Sequence, residues 1–189
     1  MNWTQLPNVI TSIRLLLLIP LSFFLVAENY QSALIIFFIA GVSDALDGFL
    51  AKRYNWVSRF GSILDPIADK ALLVITMAIL TLNQKISGLL FACVAIRDIY
   101  IITGAYFYYK QIGPFNMQPS LISKFNTFAQ ILMVTLILVS LGYRQISEPV
   151  ISSLVFLVYL TVISSTLHYS FVWWRKYLTA RKSVNQKDK

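Results

Sequence analysis

Long apolar stretches alternate with short polar connections along most of the chain. Six such stretches can be marked, at residues 9–27, 31–50, 62–82, 86–110, 121–142 and 149–174. Each is close to or above the length of about 20 mostly apolar residues that a helix needs to cross a bilayer. The pattern predicts an all-α, polytopic membrane protein with six transmembrane helices.

Composition supports a single membrane domain. Of 189 residues, 57% are hydrophobic and 13% are charged, and the mean hydropathy of +0.67 excludes an ordinary soluble domain. We expect a membrane domain over residues 1–178 and a basic cytoplasmic tail over residues 179–189, in which the final "ARKSVNQKDK" is expected to be disordered. The leading "MNWTQ" carries no basic side chain, so we expect the first stretch to be retained rather than cleaved as a signal.

The basic residues indicate an orientation. Six predicted spans place both termini on one side, and that side receives most of the cations: Lys52, Arg53, Arg59, Lys110, Lys124 and the basic C-terminal residues. The opposite turns hold only Lys85 and Arg144. The positive-inside rule therefore predicts cytoplasmic termini. The formal net charge of +8 is explained by anionic lipid headgroups, and we expect no nucleic-acid partner.

Four aspartates lie where the second and third stretches meet, in "DALDGFLAK" and "GSILDPIADK". On a helix, Asp44, Asp47, Gly48 and Ala51 form one stripe, and Gly61, Asp65, Ala68 and Asp69 form a second. Packing the two helices together would line a pocket with four carboxylates.

Four carboxylates near a membrane boundary repel one another and need compensating cations. Oxygen ligands favour magnesium, manganese or calcium, and four carboxylates suit a pair of ions that act on a phosphoryl group. Lys52, Arg53, Arg59 and Lys70 are further candidate phosphate ligands. A structural alternative pairs Asp44 and Asp47 with Lys52 and Arg53 and makes Asp65 a helix cap.

The stretch "DALDGFLAKRYNWVSRFGSILDPIAD" resembles the signature of the CDP-alcohol phosphatidyltransferase family, D-x2-D-G-x2-A-R-x8-G-x3-D-x3-D. Seven positions match: Asp44, Asp47, Gly48, Ala51, Gly61, Asp65 and Asp69. Lys52 stands where the family usually has arginine, which keeps the charge but loses the bidentate fork. The start "LPNVITSIR" is similar to the family's interfacial segment before the first membrane helix.

This resemblance implies a six-helix membrane enzyme, a homodimer of the bacterial inner membrane, with a cytoplasmic site holding two Mg²⁺ or Mn²⁺ ions. It implies that Asp44, Asp47, Asp65 and Asp69 bind metal and that Asp69 is also the general base. It assigns Gly48, Ala51, Lys52 and Gly61 to the nucleotide and its phosphates. The donor substrate would be CDP-diacylglycerol, with CMP as leaving group.

The acceptor is expected to contact Arg97 and Asp98 in the fourth span and Lys124 and Asn126 in the fifth. These residues resemble the members that use phosphatidylglycerol and form cardiolipin, more than those that use glycerol 3-phosphate, which tend to have a second lysine at the position of Asn126. The diester acceptor carries less charge than a phosphomonoester and requires fewer cations. Alternatively, Arg97 and Asp98 form a structural ion-pair network with Arg14, and Lys124 is a membrane anchor.

Two other classes also place acids in or near a membrane. A cation transporter would use the same aspartates as an ion path, but no acidic residue lies in the outer half of the predicted spans to continue that path. A prenyltransferase would place its Asp-rich motifs in two distant segments, whereas all four acids here fall within one helix-loop-helix. His168, the one histidine, is expected to pack among interfacial aromatic residues rather than to catalyse.

Overall fold

The computed structural model describes the backbone of residues 6–54, 61–112 and 120–187, and the side chains of residues 10–44, 67–107, 109–110 and 120–175. This part of the chain forms six α-helices, as the apolar pattern predicts. They are α1 (Leu6–Val26), α2 (Tyr30–Tyr54), α3 (Gly61–Leu82), α4 (Gly88–Ile112), α5 (Leu121–Gly142) and α6 (Glu148–Lys187). The class is all-α.

Two helices run further than the sequence predicted. Helix α2 continues to Tyr54, past residue 50 where the second predicted stretch ends. Helix α6 continues to Lys187, and the prediction of a disordered tail from Ala180 is therefore wrong for its backbone. No glycine or proline follows Pro149, and lysine, arginine and glutamine are good helix formers, so the end of the apolar stretch does not end the helix.

The chain divides into two compact units, and the first comprises Met1–Ser87 and Ile131–Ile151. It contains α1, α2, α3 and the second half of α5. Its apolar core includes Leu21, Leu25, Phe37, Met77 and Leu80, all buried. Helix–helix contact within this unit brings the polar ends of α1, α2 and α3 to the candidate site.

Short polar links fix the opposite ends of these helices. The side chain of Asn29 caps α2 by accepting a hydrogen bond from the Ser32 amide at 3.2 Å. Asn83, after α3, donates to the Leu25 carbonyl at the end of α1 at 2.8 Å. Gln31 donates to the Gly142 carbonyl of α5 at 2.6 Å. The second and third of these links join helices that are distant in sequence.

The second unit comprises Gly88–Gln130 and Ser152–Lys189. It contains α4, the first half of α5 and most of α6. Tyr100 of α4 and Ser170 of α6 share a hydrogen bond of 2.8 Å, and the Tyr169 hydroxyl accepts one from the Ser120 amide at 3.2 Å. Trp173 packs against Tyr100 and Tyr169, with ring centroids 5.4 and 5.7 Å apart.

Several polar side chains are buried in the helical units, and many large apolar side chains lie on the surface. Arg14, Arg97 and Asn126 are buried, whereas Leu16, Ile19 and Phe23 are 64–69% exposed. Within the described part of the chain, three stretches are long and apolar enough to cross a membrane: Gly88–Phe107, Leu121–Gly142 and Glu148–Arg175. This distribution is typical of a protein whose outer surface faces lipid.

Candidate active site

A buried arginine connects two of the four predicted aspartates. Arg14 Nη1 of α1 lies 2.9 Å from Asp44 Oδ1 of α2 and also donates a hydrogen bond to Asp69 Oδ1 of α3. The arginine side chain is fully buried, whereas both aspartate side chains are 45% exposed. Three helices therefore converge on one ionic cluster that is closed on the arginine side and open at the carboxylates.

The spacing of α1 explains how Arg14 reaches this position. Thr11, Arg14, Leu18, Leu21 and Leu25 recur every three or four residues and are all buried. They form the stripe that α1 turns toward α2 and α3. Arg14 occupies the polar end of this stripe, so the packing of its leucines carries the guanidinium to the two carboxylates.

Asp44 and Asp69 are brought together as the two-stripe prediction requires. The remaining predicted ligands lie in α2 and α3, but their side chains fall outside the described set: Asp47, Gly48, Ala51, Lys52, Gly61 and Asp65. Among the described side chains no group of three metal-ligating residues occurs. Of the four predicted carboxylates, the structure describes the side chains of Asp44 and Asp69, and Arg14 contacts both.

These two carboxylates fit a divalent cation. They offer hard oxygen ligands, they come from facing helices, and each remains about half exposed. Lys70, next to Asp69, is exposed, as a phosphate ligand at the mouth of a site would be.

The second unit holds a separate buried polar cluster around Arg97. Its guanidinium donates to Asp98 Oδ1 at 2.7 Å, to Ser123 Oγ of α5 at 2.6 Å and to Ser165 Oγ of α6. Arg97 is 3% exposed and the Asp98 side chain 11%. The Arg97–Asp98 ion pair considered in the sequence analysis is present, and the described ion pairs of Arg14 are with Asp44 and Asp69.

Asn126 adds an amide to this buried region. It is fully buried and lies 2.9 Å from Thr161 Oγ1, which is also 3.0 Å from the Val158 carbonyl. Thr161 has one hydroxyl proton and cannot donate to both. If the Asn126 amide donates to Thr161 and Thr161 donates to Val158, both contacts are satisfied. In either orientation, one amide atom of Asn126 stays buried without a hydrogen-bond partner among the described atoms.

Lys124 does not join Asn126. Its side chain is exposed, while Asn126 two residues later is buried. This placement agrees with a membrane-anchoring role for Lys124.

His168 lies half-buried beside Tyr169, and the two rings meet edge to face with centroids 5.9 Å apart.

The sequence analysis missed the partners that organise both clusters. Arg14 was visible as a charge inside an apolar stretch, which is a usable signal of an internal ion pair. Ser123, Thr161 and Ser165 gave no such signal, since single hydroxyl residues are common in membrane helices.

Comparison with known proteins identifies relatives for most of the chain. A sequence model described as CDP-alcohol phosphatidyltransferase matches residues 4–174. A CDP-diacylglycerol–glycerol-3-phosphate 3-phosphatidyltransferase of Aquifex aeolicus is 34% identical over 146 residues, which cover 76% of this chain and 79% of that protein. The human cardiolipin synthase (CMP-forming) is 33% identical over 148 residues, covering 70% of this chain and 49% of that protein. The chain thus spans about half the length of the human relative.

Proposed function

Because the chain belongs to the CDP-alcohol phosphatidyltransferase family, we propose that it transfers the phosphatidyl group of CDP-diacylglycerol to phosphatidylglycerol, giving cardiolipin and CMP. The observation that carries this proposal is the convergence of Asp44 and Asp69 from two helices. They occupy the first and last aspartate positions of the family signature, and both side chains remain 45% exposed.

Asp44, Asp47, Asp65 and Asp69 would hold two Mg²⁺ or Mn²⁺ ions. When bound, these ions supply positive charge that polarises the phosphoryl group and stabilises the departing phosphate oxygen. Gly48, Ala51 and Gly61 leave room for the cytidine nucleotide, and Lys52 binds its phosphates.

The reaction exchanges one phosphorus–oxygen bond for another. The acceptor hydroxyl oxygen forms a bond to the phosphorus that carries diacylglycerol, and the bond from that phosphorus to CMP breaks. Asp69 accepts the hydroxyl proton.

The charge around Arg97 supports a diester acceptor. Arg97 is the one buried cation among the described residues of the second unit, and Asp98 already neutralises it. Asn126 is neutral and buried, with one amide atom left for a substrate oxygen or hydroxyl. A dianionic phosphomonoester would require more positive charge than this cluster offers, whereas a singly charged diester would require less.

Glycerol 3-phosphate is the second candidate acceptor. The observation in its favour is the Aquifex relative, which is named for that substrate and matches 76% of this chain. Lys124 would then supply the additional cation. A cation transporter is no longer supported, because the relatives are named as a phosphatidyltransferase and a synthase.

We also infer the setting of the enzyme. Six helices cross the bacterial inner membrane, with "LPNVITSIR" at the interface before the first span and with the Asp-rich site and both termini in the cytoplasm. Residues 1–178 form the membrane domain of a homodimer, and residues 179–189 form its basic cytoplasmic end. The lipid-facing apolar surface and the family support this arrangement.

The purified chain in detergent, given CDP-diacylglycerol and Mg²⁺, tests the proposal. Phosphatidylglycerol and glycerol 3-phosphate are offered in separate reactions, and CMP and lipid products are followed by mass spectrometry. Cardiolipin formed from phosphatidylglycerol supports the proposal. If phosphatidylglycerophosphate forms instead, the acceptor is glycerol 3-phosphate. If neither reaction releases CMP, both assignments are contradicted. A reaction that contains a chelator in place of Mg²⁺ is the metal control.

A further inference from the structure

Arg14 is a permanent cation at a place where a divalent cation is also expected. It is fully buried, and one of its nitrogens contacts Oδ1 of both Asp44 and Asp69.

Two effects of this cation follow from electrostatics. In the absence of metal, Arg14 offsets the repulsion between the two carboxylates and keeps α2 and α3 together at the site. Each carboxylate has a second oxygen and is 45% exposed, so a metal ion can share the same groups with the guanidinium. The metal ion and the guanidinium then repel each other at short distance.

We propose that Arg14 is a positioning residue that stands in for the divalent cation: it holds Asp44 and Asp69 together before metal binds, and its charge weakens metal binding. This inference rests on the proposed metal-dependent function. Its consequence is a site that stays assembled between metal-binding events and exchanges metal readily. This role requires a buried arginine and carboxylates that metal can reach, and Arg14 is fully buried while Asp44 and Asp69 are 45% exposed.

Metal affinity, measured without turnover, tests the inference. The full-length chain in detergent is titrated with Mn²⁺, and free Mn²⁺ is followed by electron paramagnetic resonance. Arg14→Gln removes the charge and is expected to tighten Mn²⁺ binding by about tenfold or more, because a nearby unit charge in a partly buried site has a large effect. Thermal unfolding of the same variant should show a lower midpoint without metal and a larger upward shift when Mn²⁺ is added.

Lys85→Gln is the matched control. Lys85 is also a cation of the first unit, but it pairs with Glu28 at 3.7 Å and is 33% exposed. Its replacement should leave Mn²⁺ affinity unchanged.

Arg14→Lys keeps the inference testable if Arg14→Gln does not fold. A lysine retains the charge, but its nitrogen lies one bond closer to the backbone than Arg14 Nη1, so it holds the two carboxylates less closely. We expect its Mn²⁺ affinity to rise by about threefold.

Binding that is unchanged or weaker in the folded Arg14 variants overturns the inference, since Arg14 would then act by packing or by organising the metal site. If the wild type binds Mn²⁺ and releases CMP while Arg14→Gln binds no tighter, the proposed function stands and only the role of Arg14 fails. If the wild type neither binds Mn²⁺ nor releases CMP, the proposed function fails and this inference fails with it.

Discussion

At the scale of single residues, exposure separates the roles of the charged groups. Arg14 and Arg97 are buried, and each is held by acids or hydroxyls in place. Asp44 and Asp69 both contact Arg14 and stay about half exposed. The contacts with both carboxylates compensate for the burial of the Arg14 guanidinium, and the exposure of these carboxylates leaves them accessible to the proposed metal ions.

Asp44→Asn is expected to reduce CMP release by more than about 100-fold, because metal charge stabilisation is worth several kcal/mol and each 1.4 kcal/mol or so is tenfold in rate. Initial rates at saturating Mg²⁺ measure this effect. Glu28→Gln is the matched acid-to-amide control: Glu28 lies in the turn before α2, pairs with Lys85 and is 57% exposed. Equal loss in both variants would argue against a metal role for Asp44.

Asn126→Ala is expected to raise the KM for phosphatidylglycerol by about three- to tenfold, the effect of one lost hydrogen bond. The KM for CDP-diacylglycerol should not change, since the amide is proposed to contact the acceptor. Thr135→Ala on the same helix is the control, because Thr135 is half-buried and donates to the Ile131 carbonyl one turn back. A parallel rise in both KM values would contradict an acceptor-specific role.

The residues that sequence could identify are those with a local pattern. The aspartate stripes follow from i, i+3 and i+4 spacing, and the structure brings Asp44 and Asp69 together accordingly. The contact of Arg14 with Asp69 joins residues 55 positions apart. No periodicity encodes such a pairing, so the sequence showed a charge inside an apolar stretch without showing its partners.

At the scale of helices, apolar length predicts existence and approximate bounds. The predicted fifth stretch, residues 121–142, coincides with α5 because polar or proline-containing segments flank it on both sides. Helices α2 and α6 extend past their apolar stretches, since a change from apolar to basic residues alters the environment of a helix without breaking it. The length of an apolar stretch therefore does not give the full length of its helix in this chain.

The contact of α4 with α6 requires a glycine at position 104. A methyl group added at Gly104 would overlap the Trp173 ring, which Tyr100 and Tyr169 flank. Gly104→Ala is expected to destabilise the protein by about 1–3 kcal/mol through overpacking. Thermal unfolding in detergent measures the loss.

Two further variants check that the loss arises from this overlap. Gly41→Ala is the control, because a methyl group there meets nothing within 4 Å, and it should be neutral or stabilising. Adding Trp173→Leu should reduce the cost of Gly104→Ala, because the smaller side chain makes room. An undiminished cost in the double variant would place the strain elsewhere.

At the scale of the whole molecule, the arrangement of charge predicts a direction in the membrane. The turns after α1, α3 and α5 carry Glu28, Lys85 and Arg144, whereas the opposite connections and the C-terminal segment carry most of the basic residues. Basic segments are retained on the cytoplasmic side. The proposed site would then face the compartment that contains soluble nucleotides.

Cysteine labelling of intact cells tests this orientation. In a Cys93→Ser background, Gln145→Cys in the exposed turn between α5 and α6 should react with a membrane-impermeant maleimide added outside. Ser183→Cys near the C-terminus should react only after the cells are opened, because the basic C-terminal segment is expected inside. The parent Cys93→Ser protein should stay unlabelled in both conditions. The reverse pattern would invert the topology, and it would place the Asp44 and Asp69 carboxylates on the side away from the cytoplasmic nucleotide pool.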